Sequence, residues 1–137
     1  MQTLEQLNII INDLSVSYSD DGNENDSVIV FIHGFPLDKS MWKGQIENLR
    51  NKYRVITYDV RGFGNSDPGE EELSIDLFAS DLKLFLNALN LNKVILCGFS
   101  MGGYIALRAI EKFPELFDEL APLATRSCQW RRLEQRV

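Results

Sequence analysis

The sequence predicts an α/β fold, a mostly parallel sheet with helices on both faces. Three observations carry that reading. Apolar, β-branched-rich runs recur at Val28–Ile32, Arg54–Tyr58 and Val94–Cys97. Segments with apolar residues at helical spacing follow each of them, at Ser40–Leu49, Ser74–Asn90 and Met101–Phe113. Each apolar run stops abruptly, at His33-Gly34-Phe35-Pro36, at Asp59 and at Gly98. A strand apolar on both faces is one covered from both sides, and strands alternating with helices make βαβ units.

Taken in order, Leu7–Ile11 and Leu14–Tyr18 read as two strands joined by a tight turn at Asn12-Asp13. The polar stretch Asp20–Ser27 reads as a loop. Val28–Ile32 is the first fully buried strand. Trp42, Ile46 and Leu49 then share one helical face, with Ser40 as the expected N-cap, and Trp42 belongs to the core. After the strand Arg54–Tyr58, the stretch 61–69 is rich in turn residues, and Glu70-Glu71-Glu72 forms a solvated approach to a helix. Ile75, Phe78, Leu82, Phe85 and Leu89 recur at steps of three and four, which marks one buried helical face. The last helix ends before Pro114.

With 137 residues and a hydrophobic fraction of 45%, the chain suits one soluble domain with a real core. A net charge of −6 makes it a poor general binder of nucleic acid or anionic membrane. The charge is uneven. Residues 1–125 carry −9, while the last twelve carry +3 through Arg126, Arg131, Arg132 and Arg136 against Glu134. Of the two cysteines, Cys97 ends an apolar strand and reads as a small hydrophobe, and Cys128 lies in the basic tail. Nothing suggests a disulfide framework, so a reducing compartment is expected. The N-terminus lacks the basic region of a signal peptide, and no apolar run approaches the roughly 20 residues of a membrane span. The expected location is the cytoplasm. No metal cluster or cofactor loop is visible, and Gly62-Phe63-Gly64 is too short and wrongly placed for a dinucleotide fingerprint.

The chemistry concentrates at Cys97-Gly98-Phe99-Ser100-Met101-Gly102-Gly103. A G-x-S-x-G turn between a strand and a helix is the pattern of a nucleophile elbow, which lifts a serine into a cleft. Gly98 and Gly102 flank it because a Cβ there meets the neighbouring strand or helix. Ser100 is the candidate nucleophile. The dipole of the helix beginning at Met101 points its positive end at the same place.

Three blocks stand in chain order: Val30-Phe31-Ile32-His33-Gly34-Phe35-Pro36, Tyr58-Asp59-Val60-Arg61-Gly62-Phe63-Gly64-Asn65-Ser66-Asp67, and the elbow. Together they resemble the N-terminal half of an α/β-hydrolase of the small esterase, lactonase and cofactor-free peroxidase type, from about Asn8 to Phe117. The resemblance implies a partial α/β-hydrolase fold lacking the C-terminal strands and lid. It also implies roles: Ser100 attacks an acyl carbonyl, and the backbone N–H groups of Phe35 and Met101 form the oxyanion hole. His33, Gly34, Gly98 and Gly102 shape the supporting loops. A serine, where relatives with other chemistry use an aspartate, argues against dehalogenase and epoxide hydrolase reactions. Asp59, Arg61 and Asp67 brace the loop after their strand rather than do chemistry.

The resemblance also marks what is absent. The triad acid and histidine are expected far beyond the elbow, but the chain runs only to Val137 and His33 is its single histidine. Residues 1–118 read as the N-terminal part of the hydrolase domain. Residues 119–137 read as an atypical basic tail: Pro122 sits where a central strand belongs. The tail suggests a shifted reading frame, or alternatively a genuine short protein whose tail binds a partner. The expected function is a serine hydrolase acting on a small ester or acyl substrate without a cofactor, impaired in this chain. The alternative is a non-catalytic fragment, or a half-protein needing a partner chain. The strand Val94–Cys97 is expected to lie at an exposed edge and to promote self-association.

Overall fold

The structure, a computed structural model, describes residues 5–117. The tail 119–137, and with it the domain boundary and reading-frame questions, lies outside the described residues. Five strands form one sheet in the order β1-β2-β4-β3-β5. β1 (Leu7–Ile11) and β2 (Leu14–Asp21) make an antiparallel hairpin. Its two turn residues, Asn12 and Asp13, both take positive φ, at 48° and 63°, as a two-residue primed turn requires. β2 runs antiparallel to β4 (Arg54–Tyr58), and β4 and β5 (Ile95–Gly98) both run parallel to β3 (Val28–Ile32). Four of the five strands therefore point one way and β2 alone points back. The sheet is mixed, with its parallel part at β4-β3-β5.

β2 extends three residues past the expected strand. Asp20 and Asp21 stay on the ladder opposite Ile56 and Val55. The guanidinium of Arg54 forks onto the Asp20 carboxylate at 2.9 and 2.6 Å and satisfies the polar end of the strand. The first helical segment also differs from expectation. A 3₁₀ turn spans Lys39–Trp42, and only then does α1 (Lys43–Leu49) begin. Asp38, not Ser40, caps the 3₁₀ turn, accepting the Ser40 N–H at 2.8 Å, and α1 itself has no side-chain cap. α2 (Ile75–Ala88) starts where expected, with the Ser74 hydroxyl accepting the Leu77 N–H at 3.1 Å. α3 (Met101–Lys112) is followed by a short 3₁₀ turn at Pro114–Leu116.

The pleat divides the strand residues between two cores. Val30, Ile32, Ile56, Tyr58 and Leu96 face α2 and α3, against Phe78, Leu82, Phe85, Ile105 and Ala109. Ile29, Phe31, Val55, Ile95 and Cys97 face α1, against Trp42, Ile46 and Leu49. Trp42 is core, its ring 4.6 Å from that of Phe31. Cys97 is buried in this second layer, packed as the small hydrophobe its place in the strand suggests. Helices thus cover both faces, as the apolar strand runs predict. β5 ends the sheet order. Val94, just before it, makes a single parallel bridge to Phe117, with the Val94 N–H on the Leu116 carbonyl at 3.0 Å. No described helix is long and apolar enough to cross a membrane.

Candidate active site

The turn between β5 and α3 bends at Ser100, whose φ is 54° and ψ −115°. A non-glycine residue there is strained, and the surroundings must hold it. They do so through short main-chain bonds. The Phe99 N–H donates to the Ile32 carbonyl at 3.0 Å, the Gly102 N–H to Phe99 at 2.9 Å and the Gly103 N–H to Ser100 at 2.9 Å. A Cβ on Gly98 would overlap the Gly102 carbonyl and come within 2.6 Å of the Gly103 nitrogen. One on Gly102 would overlap the Ile32 carbonyl and come within 2.7 Å of the His33 oxygen. Both glycines therefore serve close approach of main chain to main chain.

The loop after β3 lies directly against this turn. β3 and β5 are parallel neighbours with Ile32 opposite Gly98, so the segments that follow them leave the sheet at the same level. A Cβ on Gly34 would sit 2.8 Å from the Phe99 ring and 3.2 Å from the Ser100 Cβ. The Leu37 N–H closes onto the Gly34 carbonyl at 2.8 Å around the cis Phe35–Pro36 peptide. Neither the Phe35 nor the Met101 N–H donates to a partner among the described residues. The Phe35 side chain is 68% exposed, and its ring meets Phe63 edge-on at 5.8 Å. Phe63 in turn meets the His33 ring at 5.4 Å.

His33 is fully buried, and both ring nitrogens are engaged. Nε2 accepts the Val60 N–H at 3.0 Å. Nδ1 lies 3.0 Å from the Gly34 carbonyl, which can only accept, so Nδ1 carries the proton. Burial pushes the imidazole below its usual range, against the pull of the Gly34 carbonyl and of Asp59, and favours this neutral form. Such a ring braces two loops and has no free nitrogen with which to take a proton.

The structure brings together Ser100, Phe35, Met101, His33, Gly34, Gly98 and Gly102 at the carboxyl ends of β3 and β5. It places Arg61 and Asp67 away from the turn. Arg61 forks onto Asp81 of α2 at 2.9 and 2.7 Å, and Asp67 accepts the Ser15 N–H at 2.8 Å. Asp59 is buried at the base of the Phe35 loop, where its carboxylate accepts the Lys39 N–H, the Lys39 ammonium and the Asn65 N–H. Lys39 and Phe63 are the two residues near the site that sequence reasoning misses. The only hint of Lys39 is that a carboxylate closing a buried strand needs a cation. Nothing in the spacing says which one. No group of side chains among the described residues could hold a metal ion.

The family described as the alpha/beta hydrolase fold matches residues 27–136. The chain is 41% identical over 93 residues to 3-oxoadipate enol-lactonase 1 of Acinetobacter baylyi, covering 68% of this chain and 35% of that protein. It is 32% identical over 101 residues to epoxide hydrolase 4 of Mus musculus, covering 72% and 28%. A thermophilic esterase from Thermogutta terrifontis superposes with a TM-score of 0.75 at 35% identity, over 87% of this chain and 44% of that one. The chain thus spans about a third of the length of these curated relatives. The strained turn at Ser100, the parallel β4-β3-β5 core and the match across residues 27–136 make this chain a member of the α/β-hydrolase family.

Proposed function

We propose that the chain carries the nucleophile and the oxyanion-binding half of a serine hydrolase for small esters or related acyl compounds. The observation that supports this reading is the packing of Gly34 against Ser100 at a strained turn, next to two N–H groups, those of Phe35 and Met101, that have no hydrogen-bond partner among the described residues. Ser100 Oγ attacks the carbonyl carbon and its proton passes to a base. The carbonyl oxygen becomes an oxyanion held by the two N–H groups, the bond to the alcohol breaks, and water later releases the acid. Fixed donors aimed at a developing oxyanion are a leading catalytic contribution, each worth on the order of 10²–10³ in rate. The positive end of the α3 dipole adds to them.

The base is not His33, whose nitrogens are both engaged, and His33 is the chain's only histidine. Acid and base are therefore to come from residues outside those described. The same observation favours a second reading, a fragment that binds ligand or partner without turnover. Treatment with a fluorophosphonate probe and with p-nitrophenyl acetate separates the two. Labelling that vanishes in Ser100→Ala is expected, with turnover about 10³–10⁴-fold over the uncatalysed rate, the level the oxyanion hole and binding alone give a triad lacking its base. Equal labelling of wild type and Ser100→Ala, with no turnover above the uncatalysed rate, leaves the non-catalytic reading.

Self-association through the outer edge of β5 belongs to the same proposal. Beyond the Val94–Phe117 bridge, Ile95–Gly98 pairs only with β3 among the described residues. An apolar strand edge is a template for another chain. Sedimentation at micromolar concentration is expected to show dimers or larger species, and a clean monomer contradicts it.

A further inference from the structure

We propose that Asp59 and Lys39 are positioning residues for the oxyanion loop, a role that rests on the hydrolase reading above. The loop's donor, the Phe35 N–H, lies in residues 34–38, between His33 and Lys39. Both ends of that segment are tied to the same two consecutive residues after β4. At one end His33 Nε2 accepts the Val60 N–H at 3.0 Å. At the other, the Lys39 N–H donates to Asp59 Oδ1 at 2.8 Å and its ammonium to Oδ2 at 3.0 Å.

The anchor is itself fixed. Asp59 is 1% exposed. Its Oδ2 also accepts the Asn65 N–H at 2.9 Å, and a Cβ on Gly64 would overlap the carboxylate. Its main-chain N–H donates to the Ser17 carbonyl at 2.9 Å, and its own carbonyl accepts the Ser66 hydroxyl at 2.7 Å. Three donors on a buried carboxylate, one of them cationic, make a charge-assisted anchor stronger than the neutral tie at His33. Oxyanion donors act only when held within a few tenths of an ångström of the developing charge. Asp59 touches no reacting atom, and its lone pairs face the loop it holds. Its part is to keep the Phe35 N–H from drifting.

Lys39→Met removes the ammonium but leaves the main-chain tie and the apolar stem, and Asp59→Asn weakens both ties. Two measurements on the whole chain decide the matter: amide exchange of residues 33–42 by mass spectrometry, and kcat and KM for p-nitrophenyl acetate. Faster exchange confined to 33–42 is expected in Lys39→Met, with kcat down about tenfold and KM unchanged, because the lost interaction belongs to the transition state. Lys39→Arg, which keeps a cation, is expected to restore kcat. Unchanged exchange in both variants overturns the clamp. Faster exchange with unchanged kcat overturns its positioning role. A wild-type chain with no Ser100-dependent labelling and no turnover above the uncatalysed rate is a different failure: it removes the hydrolase reading, and the clamp's catalytic role with it.

Discussion

Replacing Gly102 with alanine is expected to destabilise the fold by about 2–4 kcal/mol. The added methyl would overlap the Ile32 carbonyl and crowd the His33 oxygen. These are main-chain atoms at the end of β3, so no side chain can swing aside. α3 has to slide away from β3, loosening Ile105, Ala106 and Ala109 against the sheet. Forced overpacking costs about 1–3 kcal/mol and more when the backbone must move, whereas better helix propensity returns at most about 1 kcal/mol. The steric cost wins. Gly44 in α1 is the control: nothing lies within 4 Å of a Cβ built there. Gly44→Ala is expected to stabilise by up to about 1 kcal/mol. Urea midpoints of the two variants measure the contrast. Equal midpoints contradict the close approach of α3 to β3.

Arg61→Ala is expected to cost about 3–5 kcal/mol at pH 7, because it leaves a buried carboxylate without its cation. The Arg61 side chain is 6% exposed and that of Asp81 17%. Burial already pushes the Asp81 carboxyl above its ordinary 3.8, outweighing the downward pull of Arg61. A carboxyl raised in the folded state binds its proton more tightly there than in the unfolded chain. Its contribution to stability is present below 3.8 and is lost as the pH rises through the folded value. Removing Arg61 raises the folded value further, so the variant's deficit should shrink as the pH falls from 7 to 5. Denaturation at both pH values measures this, and a deficit equal at both contradicts it. Arg61→Ala combined with Asp81→Leu is expected to recover most of the loss, since no uncompensated charge remains.

The parts of the fold legible in the sequence are those set by neighbours along the chain. Continuous apolar runs mark β3, β4 and β5, the steps of three and four from Ile75 to Leu89 mark α2, and the glycines around Ser100 mark the strained turn. The parts that were not legible depend on partners distant in sequence. The extension of β2 needs Arg54 to reach Asp20. The bracing of the Phe35 loop needs Lys39 to find Asp59, twenty residues away, and Arg61 finds Asp81 at the same separation. The sequence reading expects Asp59 and Arg61 to brace the loop after their strand but names neither Lys39 nor Asp81 as the partner. Burial, which only the folded chain supplies, turns these charges into fixed ties. His33 shows the reverse. The family resemblance implies a loop-shaping role for it, and in the fold both of its ring nitrogens are engaged.

The level pairing of Ile32 with Gly98 has a wider consequence. It works as a ruler: strand hydrogen bonds set the spacing at which the two following loops leave the sheet, and the Asp59–Lys39 tie holds the first of them in place. Side chains such as Phe35 and Phe63 can then change in size and polarity without altering that spacing. Pocket shape and reactive geometry become separate variables under selection. One frame can thus underlie proteins named lactonase, esterase and epoxide hydrolase.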